Sequence, residues 1–530
     1  MYKVMIRDNM SPVAQEILEA TGKIQVVVDN DKATNTPEAL SKIIETYDGL
    51  ALRSGTKVTA EVLQHAKRLK VIGRAGIGVD NIDRQSATRQ GIVVMNAPGG
   101  NTVTTAEHSI AMMMSLSRNV PQATASLRAG KWEKKALIGV EITGKTLGIV
   151  GLGNVGRVVA DRARGLKMKV IAADPYVSPK AAGKLGVQLV TFDELLAVSD
   201  FISLHVPNMK ETADLIDATT LSQMKPTVRI INCSRGEVIN LEDLYRAVHN
   251  GQIAGAALDV FPQEPPDASL ALFQHPKIIF TPHLGASTGE AQINVARMIG
   301  EQMADYLLDG VITNAVNFPS VSTEEMQQLS PYFNLAEKMG SLIGQLVRAP
   351  NNITITYSGD VADLSIRPVT HALLKGLLSA FTDTPINYVN AQAIAKDKGI
   401  RVNESVSRND DAFSSLIKLK LEGAEETPDE IWGTIYEKKY PRLIRIGDMY
   451  MDAIPEGFMI VIQNIDKPGV IGDIGTTLGV HNINIARFHL GRSEDRALCL
   501  VSIDTPADEA VLDALKALPF ILSVKQVQLD

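Results

Sequence analysis

The apolar run Leu147–Val150 is followed at once by Gly151-Leu152-Gly153-Asn154-Val155-Gly156. A helical pattern over Arg157–Arg164 comes next, then a second apolar run, Val170–Ala173, ending on Asp174. Glycine-rich turns are common, and the G-x-G-x-x-G pattern alone would say little. In this setting it constrains the chain strongly, because strand, turn, helix and strand at this spacing close as one βαβ unit of a parallel sheet. Each glycine has its own duty. Gly151 makes the tight turn, Gly153 lets the backbone approach a pyrophosphate, and Gly156 lets helix and strand pack closely. The helix N-terminus, starting at Asn154 and Val155, offers free N–H groups to phosphates. Asp174 can accept both hydroxyls of an adenosine ribose and repels a 2′-phosphate, so the expected cofactor is NAD rather than NADP. The bland alternative, a structural βα turn with an ordinary strand-end aspartate, does not explain the whole constellation.

The rest of the chain is organised around this unit. Short apolar runs at Val4–Ile6, Ile24–Val28, Gly49–Leu52, Val71–Gly73 and Ile92–Met95 alternate with helical patterns and predict a first parallel sheet. Thr104-Thr105-Ala106-Glu107 has capping-box spacing ahead of Ile110–Leu116, so a helix is expected to start there and leave the first unit. The second series continues through Phe201–Val206, Arg229–Asn232, Ala254–Leu258 and Ile278–Phe280. Gly289–Leu308 is a helical pattern without a sheet of its own, and it is read as returning the chain to the first unit. Asn317–Ser320 reads as a linker. Beyond it the signal is weaker: helical over Pro331–Val347, strand-like over Ile353–Ser358, and an acidic surface loop at Glu422–Asp429. The last segment reads β-α-β-β-α-β, with strands at Phe458–Gln463, Ile485–Leu490, Leu498–Ile503 and Ile521–Val527. The expected division is 1–98 with 287–316, 99–286, 317–453 and 456–530.

Charge and cysteine usage remove several classes of function. The 530 residues carry 53 Lys and Arg against 60 Asp and Glu, a net charge of −7, which disfavours nucleic acid as the main partner. Two cysteines, Cys233 and Cys499, exclude a disulfide framework and a Cys-rich zinc site, and no metal is expected. No apolar run approaches the ~18 residues of a membrane helix. A strand, not a signal peptide, opens the chain, so a cytoplasmic protein is expected.

Three segments follow later strands of the second series: Asn232-Cys233-Ser234-Arg235-Gly236, Asp259-Val260-Phe261-Pro262-Gln263-Glu264-Pro265 and Thr281-Pro282-His283-Leu284-Gly285. Ligands of open α/β sheets sit at such strand ends. Together the segments hold an Arg, a Glu and a His, the groups that oxidation of a 2-hydroxy acid needs. Arg235 would bind the substrate carboxylate through two parallel bonds. His283 would take the hydroxyl proton as hydride leaves C2, and Glu264 would orient the imidazole. Singly, each residue has an ordinary surface or turn reading; jointly, after strands of a dinucleotide unit, they do not. His205, at another strand end, is expected to line the cleft, whereas His65, His249 and His371 read as structural or solvent-facing.

These three segments, with Ala256-Ala257-Leu258 and Ala286-Ser287-Thr288, resemble the signatures of the D-isomer-specific 2-hydroxyacid dehydrogenases. Arg74-Ala75-Gly76-Ile77-Gly78-Val79-Asp80-Asn81 and Ala123–Trp132 resemble the members that act on phosphoglycerate at the start of serine synthesis. Asp466-Lys467-Pro468-Gly469-Val470-Ile471-Gly472 is similar to an ACT regulatory domain. The resemblance covers residues 1–315 densely and returns at the C-terminus. It implies an α/β protein with a discontinuous flavodoxin-like substrate domain, a Rossmann-like NAD domain, an α+β intervening domain and a ferredoxin-like ACT domain. It further implies NAD contacts at Asn154, Val155, Asp174, Val206, Cys233, Asp259 and Gly285. Substrate groups would be Arg53, Arg74, Gly76 and Asn101, with Lys134 reaching a partner subunit's cleft in a homodimer or homotetramer. The implied substrate is 3-phosphoglycerate. The implied effector is L-serine, held by Asn464, Asp466 and Asn484. The competing readings are another 2-hydroxy acid, such as 2-hydroxyglutarate, and an NAD-sensing interaction protein.

Overall fold

Five strands, β1 (Tyr2–Ile6), β2 (Ile24–Val28), β3 (Gly49–Leu52), β4 (Val71–Arg74) and β5 (Val93–Asn96), pair in parallel in the order β2-β1-β3-β4-β5. That is the flavodoxin-like order; β2 and β3 coincide with the expected runs, β1 starts two residues earlier, β4 ends one residue later and β5 is shifted by one. β3 is buried at all four residues, as a central strand covered on both faces requires. The structure, a computed structural model, describes every residue except 35, 320, 322, 348–349, 408–412, 424–427 and 530.

The chain leaves this sheet on a helix over Thr102–Ser117. The capping-box expectation is corrected here. The helix starts three residues earlier, Asn101 sits at its N-cap without a side-chain cap bond, and Thr104 Oγ1 instead meets Thr288 Oγ1 at 3.3 Å. The two threonines lie where the chain crosses between sheets in each direction. The returning helix, Gly289–Asp309, lays Val295, Ala296, Ile299, Met303 and Leu307 on the core of the first sheet with Val4, Ile6 and Leu18.

The second sheet holds β6 (Thr146–Val150), β7 (Lys169–Ala173), β8 (Gln188–Leu189), β9 (Phe201–Leu204), β10 (Arg229–Asn232), β11 (Gly255–Leu258) and β12 (Ile278–Phe280). All are parallel, in the order β12-β11-β10-β9-β6-β7-β8. The order reverses between β6 and β9, which creates the crevice where doubly wound sheets bind ligands. β8 escapes sequence detection because two residues carry no periodicity. β9 ends at Leu204, so Val206 lies in the following loop rather than in the expected strand.

The weakly patterned middle region forms a six-stranded sheet: β13 (Asn352–Gly359), β14 (Arg401–Ser407), β15 (Ser415–Glu422), β16 (Glu430–Tyr436), β17 (Tyr440–Ile446) and β18 (Met449–Ala453), in the order β14-β13-β15-β16-β17-β18. Only β13 and β14 run parallel. The helix expected from Pro331 begins at Thr323, and Pro331 lies inside it. A proline there costs a hydrogen bond, yet Leu329, Leu335, Met339, Leu342 and Ile343 are buried along one face and their packing overrides it. Of the acidic stretch Glu422–Asp429, residues 424–427 lie outside the described residues, as does Ser320 of the linker.

The final unit holds β19 (Gly457–Ile465), β20 (Ile485–Ser493), β21 (Arg496–Ile503) and β22 (Ile521–Leu529), antiparallel in the order β20-β21-β19-β22. Strand alternation divides its core. Ile460, Ile462, Cys499 and Val501 face the helices Val470–Val480 and Glu509–Lys516, while Met459, Val461, Leu498 and Leu500 join the core of the third sheet. Among the described residues no helix is long and apolar enough to cross a membrane.

Candidate active site

The glycine turn has the geometry a dinucleotide needs. Gly151 has φ +91°, accessible without strain to glycine, and Val206 packs against it. A Cβ on Gly156 would run into the carbonyl oxygen of Gly151, whereas one on Gly153 would meet nothing within 4 Å. So Gly156 lets the helix Asn154–Gly165 sit down on β6, while Gly153 faces open space in front of the helix N-terminus, where a pyrophosphate fits. Asp174 binds this turn itself: Oδ2 accepts Leu152 N at 2.7 Å and Oδ1 accepts Tyr176 N at 2.8 Å. Lone pairs remain for a ribose. His205 does not point its ring into the cleft as a free polar group. Its Nε2 meets Ser203 Oγ at 2.8 Å, and desolvation lowers its pKa to about 4, keeping it neutral.

Three loops at the ends of β10, β11 and β12 converge next to this cradle. Buried Asn232 shapes the first, accepting Ser234 N at 3.0 Å and donating to Arg235 O at 2.8 Å. Glu264 accepts Phe261 N at 3.1 Å through Oε1, and its Oε2 lies 2.6 Å from His283 Nδ1. That contact makes Nδ1 the protonated nitrogen and leaves Nε2 as a proton acceptor toward the cleft. The two side chains remain partly open, at 48% and 36% exposure, so a substrate can reach them.

Asp259, fully buried, holds the His283 loop. Its carboxylate accepts Thr281 Oγ1 at 2.5 Å, Leu284 N at 2.7 Å and Gly285 N at 2.8 Å. Burial works to raise its pKa, but hydrogen bonds from His108, Thr281 and Leu284 outweigh burial and keep it below the ordinary carboxylate value. Cys233 lies beside it, its thiol pushed up to about 12 by burial and by the Asp259 charge. His108, Cys233 and Asp259 place possible metal-ligating atoms within 4.8 Å of one another. Of this trio, His108 and Asp259 support the loop through hydrogen bonds.

Opposite these loops, the ends of β3 and β4 supply cations. Arg74 is largely buried, its Nε has no hydrogen-bond partner, and its pKa falls to about 10, first by desolvation and then by the charge of Arg235, with Arg53 adding to it. Gly76 leaves room for Arg74, since a Cβ there would collide with Nη1. The Oδ1 of Asn101 is likewise buried without a partner. Arg235 reaches across the cleft to Asp80, Nε to Oδ2 3.3 Å. Asp80 and His108 are participants that sequence reasoning missed. Asp80 lies within a quoted motif, but nothing in its spacing marks it as facing Arg235, and His108 carries no local signal at all.

Two groups of expected site residues are not brought together. Lys134 is exposed, in the segment before β6, and makes no hydrogen bond or ion pair among the described residues. In the last sheet, Asn464 pairs with Ala497 while Ile485 pairs with Ile503, so Asn464 and Asn484 stand at opposite ends, about 20 Å apart at strand rise. Asp466 binds Arg492 Nε at 2.7 Å, and Asn484 donates to Asp504 at 2.7 Å. The expected effector trio therefore does not form one site within a chain.

The fold and this cleft define a D-2-hydroxyacid dehydrogenase: the family described as "D-isomer specific 2-hydroxyacid dehydrogenase, NAD binding domain" matches residues 110–285. The D-3-phosphoglycerate dehydrogenase intervening domain matches 328–447 and the ACT domain matches 458–520. The chain is 42% identical to D-3-phosphoglycerate dehydrogenase of Synechocystis sp., over all of this chain and 95% of that one. It is 41% identical to the enzyme of Archaeoglobus fulgidus, over 99% and 100%. It belongs to the D-3-phosphoglycerate dehydrogenase family, NAD-dependent oxidoreductases. Among solved structures, a glyoxylate reductase from Paecilomyes thermophila is similar at 29% identity and TM-score 0.54, covering 59% of this chain and 98% of that one. A pyruvate reductase of Chlamydomonas reinhardtii is similar at 27% and 0.52, covering 58% and 97%.

Proposed function

We propose that the protein oxidises D-3-phosphoglycerate to 3-phosphohydroxypyruvate with NAD, the first step of L-serine biosynthesis. The observation that carries this reading is the convergence of Arg53, Arg74 and Arg235 opposite the His283–Glu264 pair, with the buried Nε of Arg74 lacking a partner. Such a cleft favours a substrate with a carboxylate and a second anionic group. NAD, when bound in the glycine cradle, supplies the hydride acceptor. Arg235 holds the carboxylate, Arg53, Arg74 and Asn101 hold the phosphate end, and His283 Nε2 accepts the hydroxyl proton while Glu264 fixes its ring. Purified protein should turn over phosphoglycerate with far higher kcat/KM than glycerate. Equal values would sink the phosphate assignment, and a preference for 2-hydroxyglutarate would identify a different dianion as substrate.

In this reading, residues 1–98 with 287–316 form the substrate domain, 99–286 the NAD domain, 317–453 the intervening domain and 456–530 the ACT domain. Cofactor choice rests on Asp174. Asp174→Ala should weaken NAD binding about tenfold or more and narrow the preference over NADP, because it removes the ribose acceptor and also loosens Leu152. Fluorescence titration with both cofactors checks this; equal use of NADP by the wild type would show that Asp174 does not face the ribose.

The assembly is a cytoplasmic homodimer or homotetramer. Trp132 and Ile138 stand 82% and 79% exposed on either side of Lys134, an apolar surface suited to a second copy whose cleft Lys134 would enter. Pairing of two ACT domains would also bring Asn464 and Asp466 of one copy to Asn484 of the other, making an L-serine site. Calorimetry should show serine binding that Asp466→Ala abolishes, with parallel inhibition of initial rates. No heat and no inhibition at millimolar serine would reduce this domain to an assembly module.

A further inference from the structure

His283 adopts φ +55°, a conformation that a non-glycine residue keeps only where its surroundings over-determine it. Besides the Glu264 bond to the ring, one residue, Asp259, supplies most of the side-chain contacts that hold this turn. The Asp259 carbonyl accepts His283 N at 2.8 Å, and its carboxylate holds Thr281, Leu284 and Gly285. The placement of the loop therefore depends on Asp259. A fully buried carboxylate needs hydrogen bonds from several sides, and a group able to carry charge is the most effective donor.

His108 is that group. It lies on the helix Thr102–Ser117 that links the two sheets, with Nε2 at 3.2 Å from Asp259 Oδ1 and 3.1 Å from Thr281 Oγ1. The direction of the bonds follows from the donors available. Both carboxylate oxygens of Asp259 accept backbone N–H groups, Oδ1 from Leu284 and Oδ2 from Gly285, so neither carries the proton, and the Thr281 hydroxyl gives its hydrogen to Asp259. The Thr281 oxygen then faces His108 as an acceptor, and Nε2 must carry a proton shared between Thr281 and Asp259.

We propose that His108 is a positioning residue for the reaction, acting through Asp259 and Thr281 to fix the turn that presents His283. The inference rests on His283 being the proton acceptor, and it adds a residue outside the Arg–Glu–His set. Because His108 sits on the crossing helix, it also ties the His283 loop to the element that joins the two halves of the cleft. Misplacing a general base by about 1 Å costs up to roughly 10²-fold in rate, which sets the expected scale.

The test compares His108→Leu, which removes the donor, with His108→Gln, whose amide N–H reaches a similar point. His108→Leu should lower kcat about 10–100-fold while KM for phosphoglycerate and Kd for NAD stay within about threefold. His108→Gln should recover most of the loss. General loosening of the fold would lower Tm and active fraction in both variants alike, without rescue by glutamine. Thr281→Val, which breaks the same link with little change of shape, should repeat the kcat-only loss and serves if His108→Leu does not fold. Near-wild-type kcat in His108→Leu or Thr281→Val, or a Gln variant as slow as the Leu variant, would overturn the proposal. His283→Ala is run alongside: full activity there would overturn the base assignment itself, whereas an inactive His283→Ala beside a fully active His108→Leu would overturn only the role of His108.

Discussion

His283→Ala should lose about 10²–10⁴-fold in kcat for oxidation while NAD binds as before. Among the described residues at the end of β12 the imidazole is the group able to take a proton from the substrate hydroxyl, and Glu264 at 2.6 Å fixes which nitrogen faces the cleft. Neither side chain hydrogen-bonds or ion-pairs with the glycine turn or Asp174, so cofactor affinity measured by fluorescence quenching should be unchanged. Glu264→Gln should lie between His283→Ala and the wild type: its one amide oxygen can accept either His283 Nδ1–H or Phe261 N–H but not both, and the charge that stabilises the imidazolium formed in the reaction is lost. A His283→Ala enzyme within a few-fold of wild type in stopped-flow oxidation would exclude the mechanism.

Arg235→Gln should lower kcat/KM by about 10²–10³-fold, corresponding to some 3–4 kcal/mol at 1.36 kcal/mol per tenfold. The guanidinium is the one cation of the cleft rooted in the same sheet as His283, and a planar fork can hold a carboxylate at a set distance from the base. Nη1 is committed to Ser234 O at 2.8 Å and Nε faces Asp80, so the rest of the fork meets the substrate. Arg235→Lys keeps the charge and loses the fork; it should recover part of KM and little of kcat. Asp80 is 72% exposed, so leaving it unpaired costs little and the effect should be read as loss of substrate binding. Unchanged kcat/KM in steady-state kinetics would remove Arg235 from the substrate site.

Where a segment carried its own signal, the sequence was legible. The central strands of both parallel sheets are continuous apolar runs because they are buried on both faces, and the returning helix showed as a periodic stretch without a sheet. The middle region was not legible, since its antiparallel strands take their partners from up to 70 residues away, as Asn352 does with Glu422. Pro331 misled in the same way. Proline predicts a helix start, but one apolar face packed along the whole of Thr323–Leu346 keeps it in the interior.

The sequence by itself determined the dinucleotide cradle, because its parts are local: turn glycines, helix start and ribose acceptor lie within one βαβ unit and depend on backbone geometry alone. It also determined which Arg, Glu and His stand at strand ends, since the end of a strand can be read from the end of an apolar run. Only the tertiary structure decided what those groups touch. Arg74, Arg235 and Asp80 come from two sheets, and their mutual charge exists only once the cleft has formed. His108 reaches Asp259 across 151 positions of chain because the crossing helix packs beneath β11 and β12. The separation of Asn464 from Asn484 is likewise a matter of topology: β19 and β20 each pair antiparallel with β21 and so point the same way, which leaves the end of β19 and the start of β20 at opposite ends of the sheet.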